Sequence, residues 1–221
     1  MQYIRLISLT LVFFITGCND DGIISSCGDL PSGSNKFDIT NVNVQVLLAP
    51  TTTPSSSRVS GDLYNQGTEV NYDDIVFSIN AVTQVVAAKK KESKGFSFSL
   101  ISSAYACSLL PPSTDEKIID IKVTSSADFN NAFSAGDSLK SKFEVTYTES
   151  YARFFTYENE EKIYYNLIEY LEQDDVYAGK VIQFKLNEEP EFAGYHIFYI
   201  ELMLSTGEIF LLETAEIRFA Q

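Results

Sequence analysis

Short runs in which apolar and polar residues alternate recur along most of this chain. The clearest is 117–125, where Ile119, Ile121 and Val123 are apolar and the residues between them are polar. A side-chain period of two places successive residues on opposite faces of a β-strand, so this run predicts a half-buried strand. Strands of this kind must bury their apolar faces against another layer, which favours packed sheets.

Comparable patterns predict further strands, separated by turn-forming residues. These are 37–48, 74–86, 95–101, 139–148, 181–186, 195–204 and 209–219. The pattern begins near residue 36 and continues to the end of the chain. We therefore expect one β-rich domain, residues 36–221, with a β-sandwich-like, immunoglobulin-like architecture and one accessory α-helix.

The last two runs predict a hairpin around Thr206-Gly207. A two-residue turn there would pair Leu202 with Leu211 and Phe198 with Ala215. Leu211 would then face the core together with Leu202. Glu213 would fall on the same face, so this register needs a bulge, a shift or a polar contact near that residue.

Residues 158–172 interrupt the alternation. Tyr164, Leu167, Ile168 and Leu171 recur at spacings of three and four, which predicts one face of an amphipathic helix. Asn159 is a suitable N-cap, and acidic residues follow it in the first turn. We expect this helix to pack its apolar stripe against a sheet.

The N-terminus carries one side-chain charge, Arg5, followed by an apolar stretch from Leu6 to Ile15. This layout is typical of a secretory signal peptide. The stretch is shorter than the roughly 20 residues that a membrane-spanning helix requires. Residues 1–17 are therefore predicted to be removed on export.

The sequence Ile15-Thr16-Gly17-Cys18 resembles the lipobox of bacterial lipoproteins. The resemblance covers four residues and implies that Cys18 becomes the lipidated N-terminus. Residues 18–35 are rich in Gly, Ser, Asp and Asn without apolar periodicity, which predicts a flexible tether. The alternative is an ordinary signal peptide that leaves Cys18 as a thiol. Acidic residues behind such a cysteine, here in Asn19-Asp20-Asp21, resemble sorting signals that, depending on the species, retain a lipoprotein at the inner membrane or send it to the cell surface. The expected location is the outer membrane, on its periplasmic or cell-surface face, with the lipid holding the protein there.

Two further cysteines, Cys27 and Cys107, remain after lipidation. In an exported protein two cysteines most simply form a disulfide. Such a bridge would close a loop of about 80 residues and stabilise the fold by about 4 kcal/mol on the chain-entropy account. The alternative is two independent thiols.

Charge and residue counts exclude several classes of function. The formal charge is −14, and loss of Arg5 makes it about −15, which disfavours nucleic acid as a partner. The single histidine, His196, lies in an apolar strand pattern and is expected to be structural, without a serine or cysteine nucleophile beside it. The sequence contains no phosphate-binding glycine loop or calcium loop. No metal site, catalytic residue or cofactor is predicted.

The hypothesis that needs no catalytic residue is a surface-tethered binding or assembly module with a protein or glycan ligand. Tyrosines would then supply stacking surfaces in the absence of tryptophan, the candidates being Tyr147, Tyr151, Tyr157, Tyr164 and Tyr165. The alternative is a cell-envelope hydrolase of the glycoside type that uses two carboxylates. The sequence alone selects no such pair among its acidic residues.

Overall fold

The computed structural model describes residues 36–49, 58–86, 113–192 and 194–220. Within these ranges the chain forms twelve strands and one short α-helix. In chain order they are β1 Phe37–Leu48, β2 Glu69–Val70, β3 Ile75–Val85, β4 Ile118–Ser125, β5 Phe143–Thr148, β6 Phe155–Glu158, β7 Glu161–Tyr164, α1 Leu167–Leu171, β8 Val181–Leu186, β9 Tyr195–His196, β10 Phe198–Leu204, β11 Ile209–Glu213 and β12 Ile217–Phe219.

Two antiparallel sheets form the body of the molecule. One has the order β1-β3-β8-β5 and the other the order β11-β10-β4. Phe77 and Phe143 of the first sheet meet Phe198 of the second, with the rings of Phe77 and Phe198 5.1 Å apart edge to face, and Phe184 packs on Phe77 and Phe143. This aromatic cluster joins the two layers and is fully buried. The predicted β-sandwich-like fold is confirmed.

Strand β4 follows the predicted alternation except at its N-terminal end. Ile121 and Val123 are fully buried, as expected, whereas Ile119 is 54% exposed and Ile118 is buried in its place. A register irregularity separates the Met203 pair from the Leu204 pair at this end of the β4–β10 ladder. A bulge of this kind changes which residues face the core.

The C-terminal hairpin forms, but its predicted register is wrong by one residue. Leu202 pairs with Phe210, because the loop contains three residues and ends at Gly207, whose φ is +90°. A one-residue slip turns every side chain of the strand to the opposite face. Leu211 is therefore 77% exposed rather than buried, and Glu213 lies in solvent, which removes its predicted conflict with the core.

Beyond β11 the same slip brings Thr214, instead of the predicted Ala215, opposite Phe198. The Thr214 N–H donates to the Phe198 carbonyl at 3.0 Å, and Thr214 Oγ1 accepts the Phe198 N–H at 3.0 Å. The side chain of Thr214 is buried. It therefore continues the ladder past the last residue of β11.

The predicted helix over 158–172 is confirmed only in its last third. Asn159 and Glu160 have φ values of 49° and 71° and form the turn of the β6–β7 hairpin, so Asn159 is not a helix cap. The helix begins after Asn166, whose side chain accepts the N–H groups of Ile168 and Glu169. The predicted spacing arose because a β-hairpin and a helix follow each other directly.

Smaller elements complete the sandwich. Helix α1 buries Leu167 and Tyr170 beside β5 and β4, at the side where these strands end the two sheets. Strand β12 pairs in parallel with β2 and antiparallel with β9, and it buries Ile217 and Phe219. None of the helices in the described ranges has the length and apolar character needed to cross a bilayer.

Candidate functional site

A surface cavity of about 510 Å³ combines aromatic, hydroxyl and charged side chains. We call it the tyrosine cleft. Its aromatic side chains come from three separate parts of the chain. Its walls also include two carboxylates, those of Asp115 and Glu149, and the lysine Lys180. The lining residues are Phe37, Ser113, Thr114, Asp115, Tyr147, Glu149, Ser150, Tyr151, Tyr177, Ala178, Gly179 and Lys180.

The end of β5 positions two of the tyrosines. A register shift between Val145 and Tyr147 in the β5–β8 pairing places Tyr147 opposite Gln183 and leaves it half-buried. After the strand the chain turns, with the Ser150 N–H donating to Thr148 Oγ1 at 3.0 Å. This turn projects Tyr151, which is 80% exposed. The local backbone thus presents one half-buried ring, that of Tyr147, and one exposed ring, that of Tyr151.

Gly179 allows the opposite wall to approach this turn. A Cβ built at Gly179 would lie 2.9 Å from the carbonyl carbon and the Cβ of Glu149 and 2.9 Å from the Ser150 nitrogen. Real Cβ atoms do not approach backbone atoms so closely. Glycine is therefore required where the segment leading into β8 crosses Glu149 and Ser150, and this contact sets the floor of the cleft.

The two carboxylates of the cleft each have a cationic neighbour. Glu149 Oε1 lies 3.8 Å from Arg58 Nη1, and Asp115 forms an ion pair with Lys36. Lys180 Nζ lies 5.4 Å from the centre of the Phe37 ring, within range of a cation–π interaction. The walls therefore present paired charges and hydrogen-bonding groups around aromatic surfaces.

One carboxyl group with a raised pKa, that of Glu144, lies outside the cleft. Burial raises the pKa of Glu144 on β5, an effect that Lys185 partly offsets and Glu169 reinforces. Glu144 does not line the cleft. General acid catalysis draws on a carboxyl whose pKa is raised at the reacting centre, and Glu144 lies away from the cleft.

His196 lies in the core beside the aromatic cluster. It is 1% exposed, and its ring stacks on Phe198 at 5.9 Å and meets Phe219 at 5.5 Å. The predicted apolar surroundings are confirmed. Burial lowers the pKa of His196, and a hydrogen bond to the Phe192 carbonyl raises it by a smaller amount. The imidazole is therefore held neutral near pH 7.

The expectation that no serine lies beside His196 is wrong. Ser125 Oγ is 2.8 Å from His196 Nδ1, and it also accepts the Ala127 N–H at 3.2 Å. Ser125 is 3% exposed, so a substrate has no access to its hydroxyl. Among the described residues no carboxylate hydrogen-bonds His196, as a Ser-His-Asp triad would require. The pair satisfies two buried polar groups within the core.

Sequence reasoning identified part of the cleft. Of the five candidate tyrosines, Tyr147 and Tyr151 line it, whereas Tyr157 and Tyr164 belong to the β6–β7 hairpin and Tyr165 packs on the core. Tyr177 was missed, because it lies in an irregular segment without periodicity. The sequence feature that could have indicated Tyr177 is an aromatic residue directly before the small residues Ala178 and Gly179.

The other predicted site residues lie outside the described residues. They are Cys18, Cys27 and Cys107, together with the acidic pair Asp20 and Asp21. Lipidation and the disulfide therefore stay predictions. Among the described residues no group of three or more histidine, cysteine or acidic side chains is arranged to hold a metal ion.

Comparisons with known proteins yield no relative. No protein-family model, no curated protein and no solved structure matches this chain.

Proposed function

We propose that this protein is a lipid-anchored cell-envelope protein whose β-sandwich domain binds a glycan in the tyrosine cleft. The observation that carries the proposal is the presence of Tyr147, Tyr151 and Tyr177 in one cavity with serine and threonine hydroxyls. The apolar faces of sugar rings pack on aromatic rings, while their hydroxyls exchange hydrogen bonds with polar side chains. The cleft supplies both kinds of contact.

Charge limits the class of glycan. The chain carries a formal charge of −14, whereas the two carboxylates of the cleft are paired with Lys36 and Arg58, so repulsion of a polyanion comes from the charge of the chain as a whole. A polyanionic polysaccharide would meet repulsion over a large part of this surface. Neutral sugars and amino sugars are therefore the favoured ligands.

The predicted lipid anchor would determine where in the cell the protein binds glycans. A lipid on Cys18 would hold the domain at a membrane surface through a tether of residues 18–35, whose glycine, serine and asparagine content is typical of a flexible linker. The domain would then contact glycans that lie outside the cytoplasm. An assembly role is compatible with the same arrangement.

The test is calorimetric titration of the purified full-length protein with cellohexaose and chitohexaose. We expect binding of at least one of these, and replacement of Tyr151 by alanine should weaken it roughly 2- to 10-fold through loss of one aromatic contact. Tyr157→Ala is the matched control, because Tyr157 is 65% exposed and lies outside the cleft. Polygalacturonate should not bind.

Two results would contradict the proposal. One is the absence of binding to any neutral or amino-sugar oligomer, and the other is equal weakening by Tyr151→Ala and Tyr157→Ala. Chromatography of the titrated mixtures also tests the alternative that the protein is a glycoside-type hydrolase. Shortened oligosaccharides whose formation requires Glu149 or Asp115 would favour the hydrolase.

A further inference from the structure

The strand β11 forms one edge of the three-stranded sheet and is unusually apolar for an edge. Its sequence from Ile209 is Ile-Phe-Leu-Leu-Glu, and among the residues that the structure describes it pairs on one side only, with β10. β1 of the other sheet lies close to β11 but forms no ladder with it. Exposed apolar edges of this kind are sites where another strand can add.

The hydrogen-bond pattern defines which backbone groups are open. The Thr214 N–H donates to Phe198 on β10. In an antiparallel ladder the direction of these groups alternates, so Leu212 and Phe210 also point toward β10. Ile209, Leu211 and Glu213 therefore point their N–H and C=O groups away from the sheet, and no backbone group of the described residues pairs with them.

The same three residues present their side chains on the outer face of the sheet. Leu211 is 77% exposed and Ile209 is 51% exposed, and Tyr199 beside Glu213 on β10 is also exposed. A shallow cavity of about 270 Å³ lies over this face, lined in part by Tyr199 and Leu211. Open backbone groups and apolar side-chain contacts thus occur together, as in sites that bind an extended peptide.

The acidic residues around β11 favour a partner segment that carries a basic residue. Glu208 and Glu213 flank the apolar pair Ile209 and Leu211, and Glu201 lies next to Leu211 on β10. Opposite-charge pairs across neighbouring strands are favourable, and like charges directly opposite are not. A strand added antiparallel to β11 would place one side chain opposite Glu213 and the next two on its face opposite Leu211 and Ile209.

We propose that the open edge of β11 binds an extended segment of a partner protein as an added antiparallel strand. The segment carries the pattern basic-x-apolar-x-apolar, with its basic side chain opposite Glu213 and its apolar side chains opposite Leu211 and Ile209. This site is independent of the tyrosine cleft, whose lining includes no residue of β11.

The test uses immobilised nonapeptides with the core Lys-Thr-Val-Thr-Val or Glu-Thr-Val-Thr-Val, probed with the labelled full-length protein. We expect the lysine peptide to give at least fivefold more binding than the glutamate peptide. Glu213→Lys should reverse this preference. Equal binding of the two peptides, or a preference that Glu213→Lys leaves unchanged, would overturn the proposal.

A second variant tests the backbone contact. Leu211→Pro removes one outward N–H group, which β10 does not use, and proline is tolerated on edge strands at such positions. It should abolish binding of both peptides, whereas Leu211→Ala should retain most of it. The sequence Lys94-Gly95-Phe96-Ser97-Phe98 of this chain fits the same pattern, so peptide binding that appears only in a Lys94→Glu variant would assign the edge to that segment and reject the partner. Sedimentation equilibrium tests a second copy as the occupant. Self-association of the wild-type protein that Leu211→Pro prevents would assign the edge to a second copy and reject the partner segment.

Discussion

The imidazole of His196 shows how burial can make a core residue sensitive to pH. Its Nδ1 atom meets Ser125 Oγ at 2.8 Å, and burial lowers its pKa below that of an exposed histidine. In the unfolded chain the same group titrates near its usual value of about 6.5. Below that pH the unfolded state therefore binds more protons than the folded state.

This difference fixes the sign of the pH dependence. The stability contributed by neutral His196 is fully present above about pH 6.5 and is lost as the pH falls below that value, with a slope of at most about 1.4 kcal/mol per pH unit. We expect wild-type protein to lose more unfolding free energy between pH 7.5 and 5 than His196→Gln does. Urea unfolding at both pH values measures this, and equal losses would contradict the assignment.

Gly179 illustrates a different constraint at the residue scale. No side chain fits at this position, because Glu149 and Ser150 occupy the space where a Cβ would lie. The requirement comes from a contact between segments about 30 residues apart. Neighbouring residues in the sequence give no indication of it.

The helix α1 owes its start to one residue. Asn166 accepts two backbone N–H groups, and Glu169 Oε2 accepts the Asn166 N–H at 2.9 Å, which completes a capping box. An isolated five-residue helix would not be stable in water, so the cap and the burial of Leu167 and Tyr170 both maintain it.

Replacement of Asn166 by alanine should lower the free energy of unfolding by about 1 kcal/mol, within a range of about 0.5 to 2 kcal/mol. Asn159→Gly is the control, because Asn159 has a φ of 49° that glycine adopts without strain. We expect this control to be neutral or slightly stabilising. Thermal or urea unfolding of the two variants checks both values. A larger loss for Asn159→Gly would contradict the assignment of the cap.

Attachment of the protein to a membrane is predicted to depend on the lipid on Cys18. If the lipid on Cys18 is the anchor, Cys18→Ala should release the exported protein from the membrane fraction, since each acyl chain contributes about 0.8 kcal/mol per buried methylene. Cys27→Ala should remain membrane-bound and serves as the control. Fractionation of cells and immunoblotting measure both. Membrane retention of a processed Cys18→Ala protein would reject the anchor.

Local patterns in the amino-acid sequence predicted several of the strands. Period-two alternation correctly predicted β1, β4 and β10, because burial of one sheet face leaves a direct trace in neighbouring residues. The lipobox-like segment is similarly local, and it predicts processing without reference to the fold. Where two short elements adjoin, as at 158–172, the same local reasoning merged a hairpin and a helix into one element.

The strand register and the composition of the cleft depend on contacts between segments that are far apart in the sequence. Leu211 is exposed because the loop holds three residues, and one residue of slip reverses a whole strand. Tyr147 and Tyr177 line the same cleft because a register shift and a glycine contact bring separate segments together. Gln183 is fully buried and hydrogen-bonds the Val59 backbone across 124 residues of chain. Such contacts depend on three-dimensional packing, and the order of residues along the chain carries no periodic signal for them.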